Sequence, residues 1–183
     1  MSAEIFNPNP TIFAPTQSSS RRTNEKRSLW VSDSDDSSYG SDDEVEPIDR
    51  DEVFDLVRSI SDPEHKSMSL EQLAVVSAPQ ITVSNDRNHV MVEFTPTVPH
   101  CGMSTLIGLS IRVRLMRSLP TRFKVDLKVK PGSHNSENAV NKQLNDKERV
   151  AAALENPALV EALETCLASA AQRGQVAEPT TFY

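Results

Sequence analysis

The stretch FKVDLKVKPG, residues 123–132, alternates apolar and polar side chains over its first eight positions. The apolar positions share one face and the polar positions the other: Phe123, Val125, Leu127 and Val129 against Lys124, Asp126, Lys128 and Lys130. Successive side chains of a β-strand point to opposite faces, so this period of two is typical of a strand with one buried face. The sequence therefore predicts a half-exposed strand here.

Two further strands are predicted upstream. QITVS (80–84) and HVMVEFTPT (89–97) flank the polar turn NDRN, which favours a β-hairpin. CGMSTLIGLSIRVRLMRSLP (101–120) follows, and its four-residue apolar spacing, its length and the Pro120 at its end favour a helix. A helix between the last two strands makes them a candidate right-handed crossover pair.

Helices are predicted on both sides of these strands. IDRDEVFDLVRSI (48–60) carries its apolar residues mainly along one helical face, with acids in the first turn. Ser69 opens a candidate capping box. Residues 135–155 are predicted to form one long amphipathic helix, and Asn156-Pro157 to cap and begin the last one. The predicted order is α, β, β, α, β, α, α, an α+β domain with a small three-stranded sheet covered by helices.

Composition separates this domain from two tails. Residues 1–46 are rich in Ser, Asn, Pro and Asp and include the acidic run SDSDDSSYGSDDEVE. Such a stretch buries too little apolar surface to offset chain entropy. We therefore expect residues 1–46 to be disordered and dispensable for folding, residues 47–172 to form the domain, and residues 173–183 to be a flexible tail.

Charge and motif content exclude several classes of function. The formal charge of −7 argues against non-specific nucleic-acid binding by the whole molecule. No apolar run approaches the ~18 residues of a membrane span, and the N-terminus does not resemble a secretory signal. Two cysteines are too few for a disulfide framework, so the cytosol or nucleus is expected. Walker, GxGxxG, GxSxG, HExxH and CxxC motifs are absent from the sequence, which removes the usual support for most nucleotide-dependent, hydrolase and zinc enzymes.

The main candidate site lies in FTPTVPHCGMSTLIGL, residues 94–109. Pro96 and Pro99 hold the chain extended, so Cys101 falls at or near the N-cap of the next predicted helix. Backbone amides and the helix dipole at such a position stabilise a thiolate. Two interpretations stay open: Cys101 is a nucleophile or soft-metal ligand, or it is a small buried thiol. Cys166 lies mid-face in an Ala/Leu helix and is predicted to be a core residue.

Other titratable residues are weaker candidates. His100 adjoins Cys101, but sequence neighbours usually point apart, so a catalytic Cys–His pair is not favoured. His134 reaches Cys101 only if both lie at one end of the sheet, and a solvated loop histidine is the alternative. Asp62 and Glu64 are explained either by turn chemistry around the intervening proline or by contact with a partner.

A basic segment, residues 112–130, carries seven cations against Asp126 alone, a local charge of +6 in an acidic chain. The cations are Arg112, Arg114, Arg117, Arg122, Lys124, Lys128 and Lys130. The aromatic residues needed to stack single-stranded nucleic acid are missing. A face that docks a protein is therefore favoured over a nucleic-acid site, and a solvated face is the main alternative.

Three stretches carry a resemblance to a known family. They are EVFDLVRSISDPEH (52–65), LEQLAVV (70–76) and the long run from FTPTVPHCGMSTLIGLSI through VNKQLNDKERVAAALEN (94–156). Together they resemble the cytosolic iron–sulfur assembly component 2 family, the MMS-nineteen-interacting proteins, and its 2B branch more than the narrower paralogue. The resemblance covers about 48–168, nearly the whole of the predicted domain.

This resemblance implies a non-enzymatic subunit of the cytosolic iron–sulfur assembly (CIA) targeting complex, located in the cytoplasm and nucleus. Such subunits pair with a WD-repeat β-propeller CIA subunit and a HEAT-repeat MMS-nineteen adaptor. The complex delivers 4Fe–4S clusters to apo-proteins, including DNA polymerases, helicases and primases. The family's reactive cysteine falls on Cys101, and its DPEH element falls on Asp62, Pro63, Glu64 and His65. Lys66, Gly102 and the loop 133–135 depart from the family pattern, and none of these departures removes Cys101.

The resulting hypothesis is an adaptor in which Cys101 is the transfer thiol, or a transient ligand, of an iron–sulfur cluster that is not permanently bound. One thiolate cannot hold a cluster of the four-ligand type, so the other ligands come from a second copy of the chain, a partner or a small thiol. The expected partner-binding residues are Asp62, Glu64, His65, Arg117, Arg122 and Lys124, without direct nucleic-acid or membrane contact. A purely structural binding module and a thiol enzyme using Cys101 as nucleophile are the alternatives.

Overall fold

The computed structural model describes residues 9–15, 47–97 and 103–172. The described elements are α1 (Arg50–Val57), a short 3-10 helix (Ala78–Gln80), β1 (Ile81–Ser84), β2 (His89–Phe94), α2 (Ser104–Ser118), β3 (Lys124–Val129), α3 (Glu137–Asn145), α4 (Lys147–Glu155) and α5 (Pro157–Gln172). The predicted α+β class with a three-stranded sheet is confirmed. None of the helices in these three ranges combines the length and the apolar character that a membrane span requires.

The sheet has the order β1-β2-β3, and its two pairings differ in direction. β1 and β2 are antiparallel, with Ile81 opposite Val92, which confirms the predicted hairpin. β2 and β3 are parallel, with Val90 opposite Val125 and Phe94 opposite Val129. Parallel neighbours need a crossover connection, and α2 lies in it, as the sequence predicts.

The core lies against one face of this sheet. The inward positions are all buried: Val90, Val92, Phe94, Val125, Leu127 and Val129. The alternate positions of β3 are half-buried or exposed, which confirms the half-exposed strand predicted from its period of two. Helices cover the buried face, and α1 contributes Val53, Phe54 and Val57 to the core.

α1 is shorter than the predicted helix 48–60. Its N-cap is Asp49, whose carboxylate accepts a hydrogen bond from the backbone N–H of Glu52 over 2.7 Å. Ile48 lies outside the helix and exchanges two hydrogen bonds with the side chain of Asn85 in the hairpin turn. Ile60 remains buried although it follows the end of the helix, so the apolar pattern was informative about burial beyond the helical residues.

The prediction of one helix over residues 135–155 is wrong, because the chain breaks between α3 and α4. Asp146 has an extended ψ of 114° and acts as N-cap of α4, accepting from the backbone N–H of Glu148 and of Arg149. The residue before it, Asn145, turns its side chain to β3. Asn and Asp side chains bond to the backbone in non-helical conformations, which is why this pair interrupts the helix.

Two asparagines of α3 cover the outer edge of β3. Asn145 accepts from the N–H of Leu127 over 2.9 Å and donates to the carbonyl of the same residue over 2.7 Å. Asn141, one helical turn earlier, accepts from the N–H of Val129 over 2.7 Å. These amides take the place of a fourth strand along that part of β3.

α5 closes the domain from the helical side. Asn156 caps it through a hydrogen bond from the N–H of Ala158, as predicted. The predicted inward face is confirmed, since Leu163, Cys166, Leu167 and Ala170 are buried and Leu159 is half-buried.

Part of the predicted N-terminal tail lies against the domain. The backbone N–H of Phe13 donates to the carbonyl of Gln72 over 2.8 Å. Ile12 and Phe13 are nevertheless 57% and 50% exposed, so neither side chain joins the core. Residues 1–8, 16–46 and 173–183 lie outside the described residues.

Candidate functional site

Cys101 and His100 lie outside the described residues, so their roles stay predictions. The structure does describe where the following helix begins. α2 starts at Ser104, and its N-cap, Met103, makes no side-chain capping hydrogen bond. Cys101 precedes this N-cap by two residues in the sequence.

The DPEH element forms a tight turn organised by the carboxylate of Asp62. Its Oδ1 accepts from the backbone N–H of Glu64 over 2.9 Å and from that of His65 over 2.8 Å. The Nδ1 of His65 lies 3.4 Å from the same oxygen. Asp62 is only 2% exposed, whereas Glu64 and His65 are half-buried. Turn chemistry, one of the two explanations weighed for Asp62, is therefore an observed role of this residue.

Backbone contacts fix this turn between α1 and α5. The N–H of Ser61 donates to the carbonyl of Cys166 on α5 over 3.0 Å. The N–H of Asp62 donates to the carbonyl of Met68 over 3.0 Å, which closes the turn on itself. The predicted capping box follows directly: the N–H of Ser69 donates to the Gln72 side chain, and the N–H of Gln72 donates to the Ser69 hydroxyl.

The turn also brings possible metal ligands together. One ligand atom each from Asp62, Glu64 and His65 lies within 4.8 Å of the others. Carboxylate and imidazole donors suit hard or borderline cations such as Zn²⁺ and Fe²⁺, whereas iron–sulfur clusters are held mainly by thiolates. The ligand atoms of this turn therefore differ from the thiolates that bind iron–sulfur clusters. One of the carboxylate oxygens, Oδ1 of Asp62, already accepts two backbone hydrogen bonds.

Cys166 is buried, as the sequence predicts. Burial raises the pKa of its thiol, and a hydrogen bond with Ser110 only partly opposes this effect. A covered, protonated thiol is a poor nucleophile and a poor metal ligand. Cys166 is therefore a packing residue at the contact between α2 and α5.

The basic segment does not form a single exposed face, which corrects part of the prediction. Arg112 is 7% exposed, and burial lowers the pKa of its guanidinium. Arg114 is half-buried and donates to the carbonyls of Leu56 and Ala170. α2 packs against α1, α3 and α5, so most of its surface is covered and both arginines lie within the helical layer. A count of charges along the sequence does not show whether each charged side chain points into the fold or out of it.

The three cations named as partner-binding residues are exposed. Arg117 donates to Glu164 on α5 over 2.6 Å, and this contact holds the pKa of that carboxyl below its ordinary value. Arg122 stacks over the ring of Phe123, and Lys124 lies 3.2 Å from Asp126. Near them in sequence, Met116 is 56% exposed. An exposed apolar side chain beside cations is a feature of protein-docking surfaces.

His134 begins the turn that leads into α3. Its Nδ1 accepts from the backbone N–H of Ser136 over 3.1 Å, and the side chain is half-buried. A local turn contact therefore accounts for one ring nitrogen.

A buried ion pair next to the DPEH turn was not predicted. Arg58 donates to both carboxylate oxygens of Glu71, over 2.9 and 3.1 Å, and to Asp55 over 2.9 Å. Burial lowers the pKa of the Arg58 guanidinium, but these hydrogen bonds outweigh burial and raise it overall. Arg58 and Glu71 stand 13 positions apart, so only the folded chain brings them together, and no local sequence pattern signals the pair.

Comparison with known proteins places these residues in a family. A family model described as "Iron-sulfur cluster assembly protein" matches residues 50–129. That span runs from the start of α1 to the end of β3, and it contains Cys101, the DPEH turn and the three exposed cations.

Three relatives show how far the similarity extends. The chain is 59% identical to "Protein AE7" of Arabidopsis thaliana over 124 residues, which cover 68% of this chain and 78% of the relative. It is 59% identical to "Cytosolic iron-sulfur assembly component 2B" of Mus musculus over 132 residues, covering 71% and 80%. It is 48% identical to "MIP18 family protein galla-2" of Drosophila melanogaster over 169 residues, covering 92% and 99%. This chain therefore belongs to the iron–sulfur cluster assembly family that includes cytosolic iron–sulfur assembly component 2B and the MIP18 proteins.

Proposed function

We propose that this chain is an adaptor subunit that helps deliver 4Fe–4S clusters to apo-proteins. Its role in cytosolic iron–sulfur assembly follows from family membership, and the 59% identity to the mouse component named for that process is the observation that carries it. The adaptor role, the targeting complex and a location in both cytosol and nucleus are the finer parts of the proposal. The expected partners are a WD-repeat β-propeller, a HEAT-repeat MMS-nineteen adaptor and the apo-protein clients.

A non-enzymatic role agrees with how the described polar residues are used. Asp62 holds two backbone amides, Arg58 and Glu71 pair with each other, and Asn145 binds a strand edge. These contacts stabilise the fold and its turns. In the proposed role, the chain exchanges ligands of an iron–sulfur cluster that it passes on to another protein, and the cluster is not a resident cofactor.

Cys101 is the proposed transfer thiol. A thiolate is a soft donor that iron in a cluster prefers. A position shortly before the start of a 15-residue helix favours the thiolate form, because the free amides of the first turn carry positive potential. One thiolate supplies one of the four ligands that a 4Fe–4S cluster takes. The cluster is then held jointly with a partner, a second copy or a small thiol, which suits transient passage.

The direct test substitutes each cysteine in the full chain and measures assembly and transfer separately. We expect Cys101→Ala to co-purify with the β-propeller and HEAT-repeat partners as the wild type does. Transfer to an apo-protein client, followed as iron and sulfide bound by the client, is expected to fall at least about tenfold, since the soft ligand is lost. Cys166→Ala is the matched control and should leave transfer unchanged.

The other outcomes discriminate between the alternatives. Normal transfer by Cys101→Ala would contradict the transfer thiol and leave a structural binding module. A covalent intermediate trapped on Cys101 would instead identify a thiol enzyme.

The exposed cations are the proposed partner-binding surface, together with the DPEH turn. Reversing Arg117, Arg122 and Lys124 to Glu should abolish co-purification with at least one partner while the thermal melting curve stays cooperative. Three exposed cations elsewhere, Arg50, Lys142 and Lys147, provide a control of equal charge change. Equal loss of partners in both triple variants would assign the effect to net charge. Tight duplex DNA binding that only the first triple variant loses would contradict a protein-docking surface.

A further inference from the structure

The described N-terminal segment, residues 9–15, contributes two residues to the wall of a groove on the domain. The groove lies between α1 and the segment 71–79, and Phe13 and Ala14 are among the residues that form its wall. The hydrogen bond from the N–H of Phe13 to the carbonyl of Gln72 fixes the segment there. A cavity of about 510 Å³ remains beside the two residues.

The groove is lined by apolar and acidic side chains. Phe54, Val76 and Ala78 supply apolar surface, and the three acids Asp51, Asp55 and Glu71 against the one cation Arg58 leave the described lining with a net charge of −2. Arg58 pairs with both Glu71 and Asp55 and ties the end of α1 to the segment 71–79. These features suit an extended peptide that inserts small or aromatic side chains and carries positive charge nearby.

The chain carries a segment of this type at its own N-terminus. Pro10 and Pro15 restrict the backbone on either side of Ile12-Phe13-Ala14, which lowers the entropy lost on docking. The basic run RRTNEKR, residues 21–27, follows six residues after Pro15 and is opposite in sign to the acids of α1.

The contact is too small to be permanent without a tether. One backbone hydrogen bond and a half-exposed phenylalanine are its described anchors. The 31 residues between Pro15 and Pro47 form the tether. Tethering of this length holds the segment near the groove at an effective concentration of about a millimolar. An intrinsic Kd of about 0.1 mM then gives about 90% occupancy in cis, and the segment still exchanges.

We propose that this groove is a peptide-docking site that the chain itself occupies, reversibly and in cis, with residues 9–15. The site recognises an extended, proline-flanked segment through Phe13 and Ala14, and the net negative lining favours a basic flank. Docking of residues 9–15 is independent of the adaptor function and of Cys101.

Hydrogen exchange in the full chain tests the docked state. The Phe13 amide should exchange at least about tenfold more slowly than that of Ile12, because only the former has a described backbone acceptor. Phe13→Ala should remove docking and its protection without unfolding the domain, since Phe13 is half-exposed. Ile12→Ala is the matched control: Ile12 is similarly exposed but is not among the groove-lining residues, and its substitution should leave Phe13 protected. Equal exchange of both amides in the wild type would overturn the proposal.

A competition experiment tests whether the docked segment leaves the groove and which segment occupies it. A synthetic peptide, NPNPTIFAPTQ (residues 7–17), is titrated into full-length wild type and into Phe13→Ala, with NMR signals of Ala74, Val76 and Ala78 as the readout. We expect binding to Phe13→Ala with an apparent affinity at least about tenfold higher than to the wild type, whose groove is occupied. Equal affinities, or binding to neither, would overturn the proposal. A concentration-dependent dimer that Phe13→Ala abolishes would assign the groove to the segment of a second copy and overturn occupancy in cis.

Discussion

Asp62 holds the DPEH turn together through one oxygen. That oxygen accepts from two backbone amides, and the carboxylate is almost completely buried. A buried backbone amide without a partner costs about 1–3 kcal/mol, so the acid is required for local structure whatever partner the turn meets. Loss of partner binding in a variant at this position therefore has to be separated from loss of the turn.

We expect Asp62→Ala to lower the free energy of unfolding by about 1–3 kcal/mol, because two amides lose their acceptor. Asp62→Asn keeps an acceptor oxygen in place and should cost less than half of that. Urea denaturation followed by circular dichroism measures both. Asp86→Ala, at an exposed position of the hairpin turn, is the control and should change stability by no more than about 0.5 kcal/mol. An Asp62→Ala variant with wild-type stability would contradict the capping role.

The two cysteines should differ strongly in reactivity. Cys166 is 3% exposed and burial raises its thiol pKa, so little thiolate is present near neutral pH. Cys101 precedes the start of α2, where a thiolate is favoured. With limiting iodoacetamide on the native protein, mass spectrometry should find Cys101 alkylated at least about tenfold faster. Equal labelling, or faster labelling of Cys166, would refute the assignment.

The structural roles of some single residues could be predicted from the sequence, and those of others could not. The capping side chains of Ser69 and Asn156 were predictable because a capped helix or turn is local, with donor and acceptor within three residues. The Arg58–Glu71 pair and the inward direction of Arg112 were not, because both depend on which elements pack together.

At the scale of elements, the contact between α2 and α3 depends on Gly108. A Cβ at this position would overlap the side chain of Leu144, whose Cγ lies 3.2 Å from it. Leu144 is 1% exposed and belongs to the core, so it has no free space into which to move. The absence of a side chain at Gly108 is therefore a packing requirement of this helix pair.

The sign of the Gly108→Ala effect tests this contact. In an uncrowded helix the change stabilises by about 1 kcal/mol, because alanine has the higher helix propensity. Here we expect a loss of about 1–3 kcal/mol from overpacking. Chemical denaturation of Gly108→Ala, Leu144→Ala and the double variant measures it. The double variant should be more stable than the sum of the two losses predicts, and strict additivity would show that the residues do not compete for space.

Most element types followed from local patterns, and the exception is informative. Period-two alternation identified β3, and a turn between apolar runs identified the β1–β2 hairpin. The break between α3 and α4 was missed because Asn145 and Asp146 fit an amphipathic helix by polarity. What separates the helices is a tertiary bond from Asn145 to β3 and the cap made by Asp146.

At the scale of the whole molecule, the exposed face of the sheet carries a small charge network across two strands. Asp126 on β3 lies 2.8 Å from the Nε2 of His89 on β2 and 3.2 Å from the Nζ of Lys124. Burial opposes ionisation of Asp126, but its hydrogen bonds with His89 and Lys124 outweigh burial and hold its pKa below the ordinary value. The ionised carboxylate therefore stabilises the folded state.

This network predicts part of the acid sensitivity. A carboxyl whose pKa is lowered by folding contributes fully above its unfolded pKa of about 3.9, and the contribution is lost as the pH falls through the lower folded value. Asp126→Asn should therefore lose less stability than the wild type between about pH 5 and pH 3. Urea midpoints at both pH values measure the difference, with Asp86→Asn as the control. The same loss in Asp126→Asn and wild type would contradict the network.

The domain organisation was predictable only in part. Composition distinguishes a chain that can form a core from one that cannot, and the core residues that the structure describes run from Ile48 to Ala170. It does not predict a weak, specific contact by a few residues, such as the one between Phe13 and Gln72. The candidate site was also predictable only in part. The sequence indicated a turn at DPEH, but it did not indicate that the turn is attached to α5 through Ser61 and Cys166.

The amides of Asn141 and Asn145 also limit how this protein can self-associate. Because they bond to Leu127 and Val129, they block much of the outer edge of β3, and the other margin of the described sheet is the four-residue β1. Among the described strands, β1 is therefore the one that a strand from another molecule extends most readily. If two copies join through β1, each occupies the edge that the other offers, so this pairing ends at a closed pair and does not propagate into a fibre.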